Sequence, residues 1–167
     1  MLTGKIDTPG AKLAFLLLIA TIPVILIGLI IKVTGLSDAM RSIRVIGWSM
    51  LIFGFVLYWF DQKGPTHKTE QDWSLKDAII LGLWQAVALI PGTSRSGITI
   101  TGARALGYTR EDGAKIAMLM SIPTILASGI LLGADVAGNA NWELMKYAGI
   151  GAAFAFMAAL GALTLMM

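Results

Sequence analysis

The sequence predicts an all-α, polytopic membrane helical bundle, and three observations lead to that prediction. Hydrophobic residues make up 56% of the 167 residues and charged residues only 14%, whereas soluble domains carry about a quarter charged residues. The mean hydropathy is +0.77. Several apolar runs approach the roughly 20 residues that a helix needs to cross a bilayer.

Composition also narrows the functional classes. The chain has no cysteine, which excludes disulfides and a thiolate metal site. The net charge is only +3 and the basic residues are dispersed. This pattern favours contact with lipid headgroups and does not indicate nucleic-acid binding.

Two apolar runs near the beginning of the chain predict membrane spans at about 13–31 and 45–60. Lys12 and Lys32 bracket the first run and can snorkel toward headgroups, while Pro23 in its middle is expected to kink it. Aromatic residues at the ends of the second run fit an interfacial belt: Trp48, Tyr58, Trp59 and Phe60.

A polar segment, 61–77, follows the second span. Ser74 and Asp77 match a capping box, so a helix is expected to begin near Ser74. The apolar run that comes next, 78–90, is only 13 residues long. Such a run is too short to cross a bilayer and is typical of a re-entrant or broken helix.

A second short apolar run, 98–106, lies beyond Pro91-Gly92 and contains Arg104, which we expect to snorkel to the interface. We therefore interpret residues 78–106 as a re-entrant helix pair whose loop lies at membrane depth. Irregular backbone is tolerated there only when it is buried in protein or lines a wet cavity. The loop is thus the main candidate for a functional site.

The remaining chain predicts two further spans, at about 116–134 and 147–167. A charged surface turn is expected at 108–115 and a polar connection at 135–146. The last span is rich in Gly and Ala, which suits close helix packing. We expect residues 1–167 to form a single membrane domain.

The distribution of basic residues predicts a cytoplasmic N-terminus. If the re-entrant pair enters and leaves on one side of the membrane, that side holds eight of the basic residues: Lys5, Lys12, Lys63, Lys68, Lys76, Arg104, Arg110 and Lys115. The other side holds four: Lys32, Arg41, Arg44 and Lys146.

The loop Pro91–Gly97 has the composition of an anion site. Its glycines let backbone approach a ligand closely, and Pro91 is expected to end the incoming helix. Arg95 offers a planar fork of donors that matches phosphate oxygens. The next helix is expected to begin at about Ser96, so its free amides and positive dipole end point at the loop.

Other interpretations of these residues stay open. Arg95 could pair with a carboxylate as a structural clamp, although no carboxylate lies inside an apolar run. The loop lacks the spacing of a Walker phosphate loop. The only histidine, His67, is expected to be a solvated loop residue, and Gln85 could hydrogen-bond the loop or, more commonly, a neighbouring helix.

Residues 85–99, which read QAVALIPGTSRSGIT, closely resemble the second signature of the bacterial undecaprenyl-pyrophosphate phosphatase family, also known as the bacitracin-resistance protein. The resemblance continues through Gly102, Leu106-Gly107-Tyr108 and Ser121-Ile122-Pro123. It implies a helical bundle of two inverted repeats, of which this chain carries one half. Each repeat contributes a re-entrant pair to a pocket that opens to the outer face.

The resemblance implies an enzyme of the bacterial plasma membrane that hydrolyses undecaprenyl pyrophosphate and so recycles the lipid carrier of peptidoglycan synthesis. It also implies a divalent cation, Mg²⁺ or Ca²⁺, and a polyprenyl pyrophosphate as the partner; homo-oligomerisation stays open. Arg95 and Ser94 are the candidate catalytic residues. The candidate substrate-binding residues are Gly92, Thr93, Ser94, Arg95, Ser96, Gly97, Thr99 and Gln85.

The family's first signature, a glutamate-rich helix with a serine-rich loop and a histidine, has no match in this sequence. We therefore find no metal ligands, and we expect a partial protein that holds pyrophosphate but catalyses little alone. A fragment, a truncated gene product and a degenerate paralogue all fit, as does a piece that misfolds alone. A different class of protein, a transporter of polyprenyl phosphate or another anion, would use the same broken-helix architecture.

Overall fold

The structure is a computed structural model that describes residues 9–36, 40–138 and 142–166. Apart from one isolated bridge between Lys68 and Tyr108, the regular structure in these ranges is helical. The helices are α1 (Pro9–Thr34), α2 (Ile43–Lys63), a 3₁₀ turn (Glu70–Asp72), α3 (Leu75–Val87), α4 (Arg95–Ala105), α5 (Arg110–Gly138) and α6 (Trp142–Met166).

Four of the described helices are long and apolar enough to cross a membrane: Gly10–Thr34, Ile43–Lys63, Arg110–Gly133 and Met145–Met166. The predicted class, a polytopic helical membrane protein, is therefore confirmed. Each of these helices takes in one of the apolar runs found in the sequence and extends into the polar residues beside it.

The start of α5 differs from the prediction. The surface turn expected at 108–115 is mostly helix, because α5 begins at Arg110. Thr109 acts as a reciprocal cap: its hydroxyl accepts from the Asp112 amide at 3.0 Å and donates to the Asp112 carboxylate at 2.7 Å. Acidic side chains in a first turn also suit the helix dipole. Similarly, most of the connection expected at 135–146 is helical, and residues 139–141 lie outside the described residues.

The re-entrant pair is formed by α3 and α4, which at 13 and 11 residues are both too short to span a bilayer. As predicted, α3 begins after Ser74, whose hydroxyl accepts from the Asp77 amide at 3.2 Å. It ends at Val87, earlier than the apolar run suggested. The amides of residues 88–90 instead bond carbonyls three residues back, at 3.0–3.1 Å, so the chain tightens into turns before Pro91.

By their internal contacts the residues divide into two compact units, Met1–Leu126 and Ala127–Met167. The second comprises the end of α5 and α6. In the first, α1 packs against α3, α2 packs against α4, and α3 and α4 pack on each other. Its buried apolar core consists of Leu16, Ala20, Trp73, Ala78, Leu81, Ala103, Tyr108, Ile116 and Met120. The prediction of a single domain stays a prediction.

Two glycines of the re-entrant pair allow close helix crossings. A Cβ at Gly82 of α3 would collide with the Ala20 carbonyl of α1, and a Cβ at Gly102 of α4 would lie 2.6 Å from the Trp84 ring. Since neither site has room for a side chain, these glycines set the distance between the helices. The rigid crossings hold the loop between α3 and α4 in place.

The prediction that Arg104 snorkels to the interface is wrong. Arg104 is 3% exposed, and its guanidinium donates to the carbonyls of Tyr108 at 2.6 Å, Gly64 at 3.0 Å and Asp61 at 3.1 Å. Two of these carbonyls belong to the C-terminal end of α2, where the helix leaves acceptors unsatisfied and its dipole favours a cation. Arg104 therefore fastens the end of α4 to the end of α2.

Candidate functional site

The loop between α3 and α4 is anchored to α2 by Ser49. The Ser49 hydroxyl donates to the Pro91 carbonyl at 2.6 Å and also lies 3.0 Å from the carbonyl of Ile46 in its own helix. Ser49 is the buried residue of α2, whose other residues are exposed or half-buried. The sequence interpretation did not identify this residue; its only signal was a hydroxyl within an apolar run.

Gly92 lets the loop lie directly on α2. Its φ is +92°, in the left-handed region that side chains disfavour. A Cβ there would collide with the Ser49 hydroxyl and lie 2.6 Å from the Ile46 carbonyl. The absence of a side chain at Gly92 therefore lets the loop lie against α2. That the same absence lets a ligand approach the loop backbone stays a prediction.

Two backbone amides are free at the beginning of α4. Ser94 is the N-cap: its hydroxyl accepts from the Gly97 amide at 3.2 Å, and its carbonyl accepts from the Ile98 amide at 2.9 Å. Within the described ranges, the amides of Arg95 and Ser96 have no acceptor. Free amides at the positive end of a helix dipole form a binding site for anions.

Three polar side chains surround these amides. The Ser94 and Ser96 hydroxyls are exposed and 3.3 Å apart. The Arg95 side chain is half-buried and makes no hydrogen bond or ion pair with any residue that the structure describes. The carboxylate that a structural clamp would require is therefore not found in that part of the chain, which favours an external anion as the partner of Arg95.

Two predicted binding residues are buried instead of facing the loop's open side. Thr99 is 1% exposed, and its hydroxyl donates to the Arg95 carbonyl at 2.9 Å. Thr93 is also buried, and its Oγ1 has no partner in the described structure. Both lie in or next to α4, but their side chains are buried, whereas those of Ser94 and Ser96 are exposed.

Gln85 is directed to a neighbouring helix, as the commoner of the two interpretations expected. It is 1% exposed, and its Nε2 donates to the Thr124 hydroxyl of α5 at 2.6 Å. Its Oε1 finds no partner among the described atoms. The structure does not bring Gln85 to the loop, so its role in substrate binding stays a prediction.

A groove of about 160 Å³ runs between α2 and the loop. Its wall on α2 is apolar, and its opposite edge consists of the loop and the beginning of α4. The lining residues are Met50, Phe53, Gly54, Leu57, Gly92, Ser94, Gly97 and Ile98.

No general base lies beside Ser94 in the described chain. His67 is exposed, as predicted, and packs on Gly107 beyond the far end of α4. Because α4 has 11 residues, that end is about 16 Å from its beginning.

A divalent cation does not fit the residues described here. They contain no group of three His, Cys, Asp or Glu side chains able to hold a metal. The loop presents N–H and O–H donors, whereas Mg²⁺ and Ca²⁺ need oxygen ligands, mainly carboxylates and carbonyls.

These features define a polytopic membrane protein with a short helix pair whose loop presents hydrogen-bond donors. Residues 1–167 match the family described as bacitracin resistance protein BacA, and the chain belongs to that family.

The chain is 66% identical to an undecaprenyl-diphosphatase of Jannaschia sp. (strain CCS1), over 99% of this chain and 62% of the relative. It is 67% identical to one from Dinoroseobacter shibae over 100% and 62%, and 45% identical to one from Aliivibrio salmonicida over 76% and 47%. The chain thus spans about three fifths of the length of the first two relatives.

The contact between Gly92 and α2 leads to a stability prediction. Gly92→Ala should lower the free energy of unfolding by about 1–3 kcal/mol, because the new Cβ meets α2 at a strained backbone angle. Gly47→Ala is the matched control: a Cβ at Gly47, also on α2, meets nothing within 4 Å, and the change should be neutral or stabilising. Thermal unfolding in one detergent measures both, and equal behaviour of the two variants would contradict the docked loop.

Proposed function

We propose that this chain binds the pyrophosphate of undecaprenyl pyrophosphate at the loop Pro91–Gly97 and takes part in its hydrolysis to undecaprenyl phosphate. The observation that carries the proposal is a set of donors at the beginning of α4 that have no partner among the described residues: the amides of Arg95 and Ser96 and the Arg95 guanidinium. The names of the relatives, undecaprenyl-diphosphatase, support the choice of substrate. Such a reaction returns the lipid carrier to peptidoglycan synthesis.

In this proposal the anion receives a donor from each part of the loop. The α4 amides and the helix dipole hold one phosphate, and the hydroxyls of Ser94 and Ser96 lie beside them. The Arg95 fork can bond two phosphate oxygens at once. A ligand would also partner an arginine that is costly to leave unpaired at membrane depth.

The proposed catalytic roles differ in how well the site supports them. Arg95 would neutralise charge on the transferred phosphoryl group. Ser94 would be the attacking hydroxyl, but it already accepts from the Gly97 amide, and no described base adjoins it to take its proton. Binding and positioning are therefore the better supported contributions of this chain. The family's divalent cation stays an expectation, and no step is assigned to it here.

That the protein lies in a membrane is supported by its helices, whereas the particular membrane and the orientation are proposals. The four apolar helices establish a multi-pass membrane protein. We further propose the bacterial plasma membrane, a cytoplasmic N-terminus and a site open to the outer face, on the basis of the distribution of basic residues and the family resemblance.

One observation favours an alternative function: the described residues include no base beside Ser94. The alternative is a protein that binds a polyprenyl phosphate, or moves it between leaflets, without hydrolysing it. Free amides and an arginine would serve both functions. Release of phosphate separates them, since only hydrolysis breaks the bond between the two phosphorus centres.

Substitution of Arg95 tests the binding site. Arg95→Ala should weaken binding of farnesyl pyrophosphate by at least about tenfold, since hydrogen bonds to charged groups contribute roughly 1.5–3 kcal/mol. Arg95→Lys should also weaken binding, because an ammonium cannot replace the planar fork. Isothermal titration in detergent measures the affinities, with exposed Arg44→Ala as the matched loss of charge. If Arg95→Ala binds as tightly as the parent, the phosphate site lies elsewhere.

Turnover by the purified chain tests the catalytic part. With undecaprenyl pyrophosphate and magnesium, we expect the 167-residue protein to release little or no phosphate, because no described base activates Ser94. The measurement is release of inorganic phosphate over time, with a buffer blank. Robust magnesium-dependent turnover that Ser94→Ala abolishes would show that this chain contains a complete catalytic set and would contradict the expectation.

A further inference from the structure

The groove between α2 and the loop has one polar edge and one apolar wall. Residues of α2 form the wall: Met50, Phe53, Gly54 and Leu57. None of the lining residues is charged. An anion held at the beginning of α4 therefore has uncharged, mostly apolar surface directly beside it.

The wall and the anion loop are continuous. Ser94 caps α4 and also lines the groove. Across from it, the Leu57 side chain lies 3.9 Å from the position of a Cβ at Gly97, which is ordinary van der Waals contact. A group attached to a bound phosphate would leave the loop along this wall.

The size of the groove limits what it can hold. At about 160 Å³ it is close to the roughly 150 Å³ of an apolar cavity that accepts benzene. An isoprene unit is slightly smaller than benzene, so one unit fits and a whole polyprenyl chain does not. The rest of such a chain would continue from the open side of the groove.

Gly54 keeps this space available. A Cβ built on Gly54 meets no atom within 4 Å, and the residue lines the groove. It is therefore not a packing glycine like Gly92, whose Cβ would collide with α2. A large side chain at position 54 can extend into the groove, because no described atom lies within 4 Å of a Cβ there and the residue lines the groove.

We propose that the groove seats the first isoprene unit of an allylic pyrophosphate, and that Gly54 determines whether it fits. This inference rests on the proposed pyrophosphate site and extends it. It predicts that the residue at position 54 sets how strongly the protein prefers a prenyl pyrophosphate to a pyrophosphate ester with a smaller group. Each buried methylene should raise affinity about fourfold.

The test compares two soluble ligands that carry the same pyrophosphate ester. Dimethylallyl pyrophosphate has one isoprene unit, and methyl pyrophosphate has only a methyl group. The full chain in phosphatidylcholine nanodiscs should bind the first at least about tenfold more tightly. Gly54→Leu should bring the ratio close to one while methyl pyrophosphate affinity stays within about twofold, and Gly54→Ala should give an intermediate ratio.

Gly47→Leu is the matched control, because a Cβ at Gly47 also meets nothing within 4 Å but the residue does not line the groove. This variant should keep the parent's ratio.

A parent ratio near one overturns the inference and leaves the phosphate site intact. The inference is also overturned if Gly54→Leu leaves the ratio unchanged or weakens binding of both ligands equally. If Gly54→Leu alters oligomeric state and not ligand preference, a second copy occupies the groove and the inference fails. Failure of the parent to bind either ligand overturns the proposed function as well.

Discussion

A backbone amide at membrane depth needs an acceptor, because no water is there to provide one. The turn between α3 and α4, which the sequence predicts to lie at that depth, meets this constraint mostly through its own hydrogen bonds. Residues 88–90 and Thr93 bond carbonyls three residues back, and Ser49 of α2 donates to the Pro91 carbonyl. The amides of Arg95 and Ser96, at the beginning of α4, have no acceptor within the described residues. These two neighbouring donors lie at the positive end of the helix dipole, which suits an anion.

Helix α2 sets the shape of that place. Contacts along α2 and α4 follow the same order: Ser49 with Pro91, Leu57 beside Gly97, and the carbonyl of Gly64 with Arg104. The two helices therefore run side by side in the same direction and are fastened at both ends. A buried arginine and a buried hydroxyl make two of these connections, and the groove lies between them. Gly54 of α2 lines this groove and is proposed to determine which group enters it.

The sequence predicted the features that depend on local patterns. The lengths of the apolar runs predicted the four spans and the re-entrant pair, and the pairing of Ser74 with Asp77 predicted the start of α3. The connections that Ser49 and Arg104 make between helices could not be predicted, because Pro91 lies 42 residues from Ser49 and Gly64 lies 40 residues from Arg104, and no local pattern relates them. The Thr109 cap was a local signal that the prediction overlooked. Of the candidate site, the donors around Arg95 followed from residue type, whereas the burial of Thr93, Thr99 and Gln85 depended on packing.

Nitrogen-15 NMR of the chain in nanodiscs, titrated with inorganic pyrophosphate, tests the central claim that the beginning of α4 binds the phosphate. The account predicts saturable shifts of the Arg95 and Ser96 amide resonances, because the ligand gives these amides their acceptor. The amides of Gly149 and Gly151 in α6 should stay unchanged. Absence of a saturable shift at Arg95 and Ser96, or equal shifts near dispersed basic residues such as Lys146, would contradict the account.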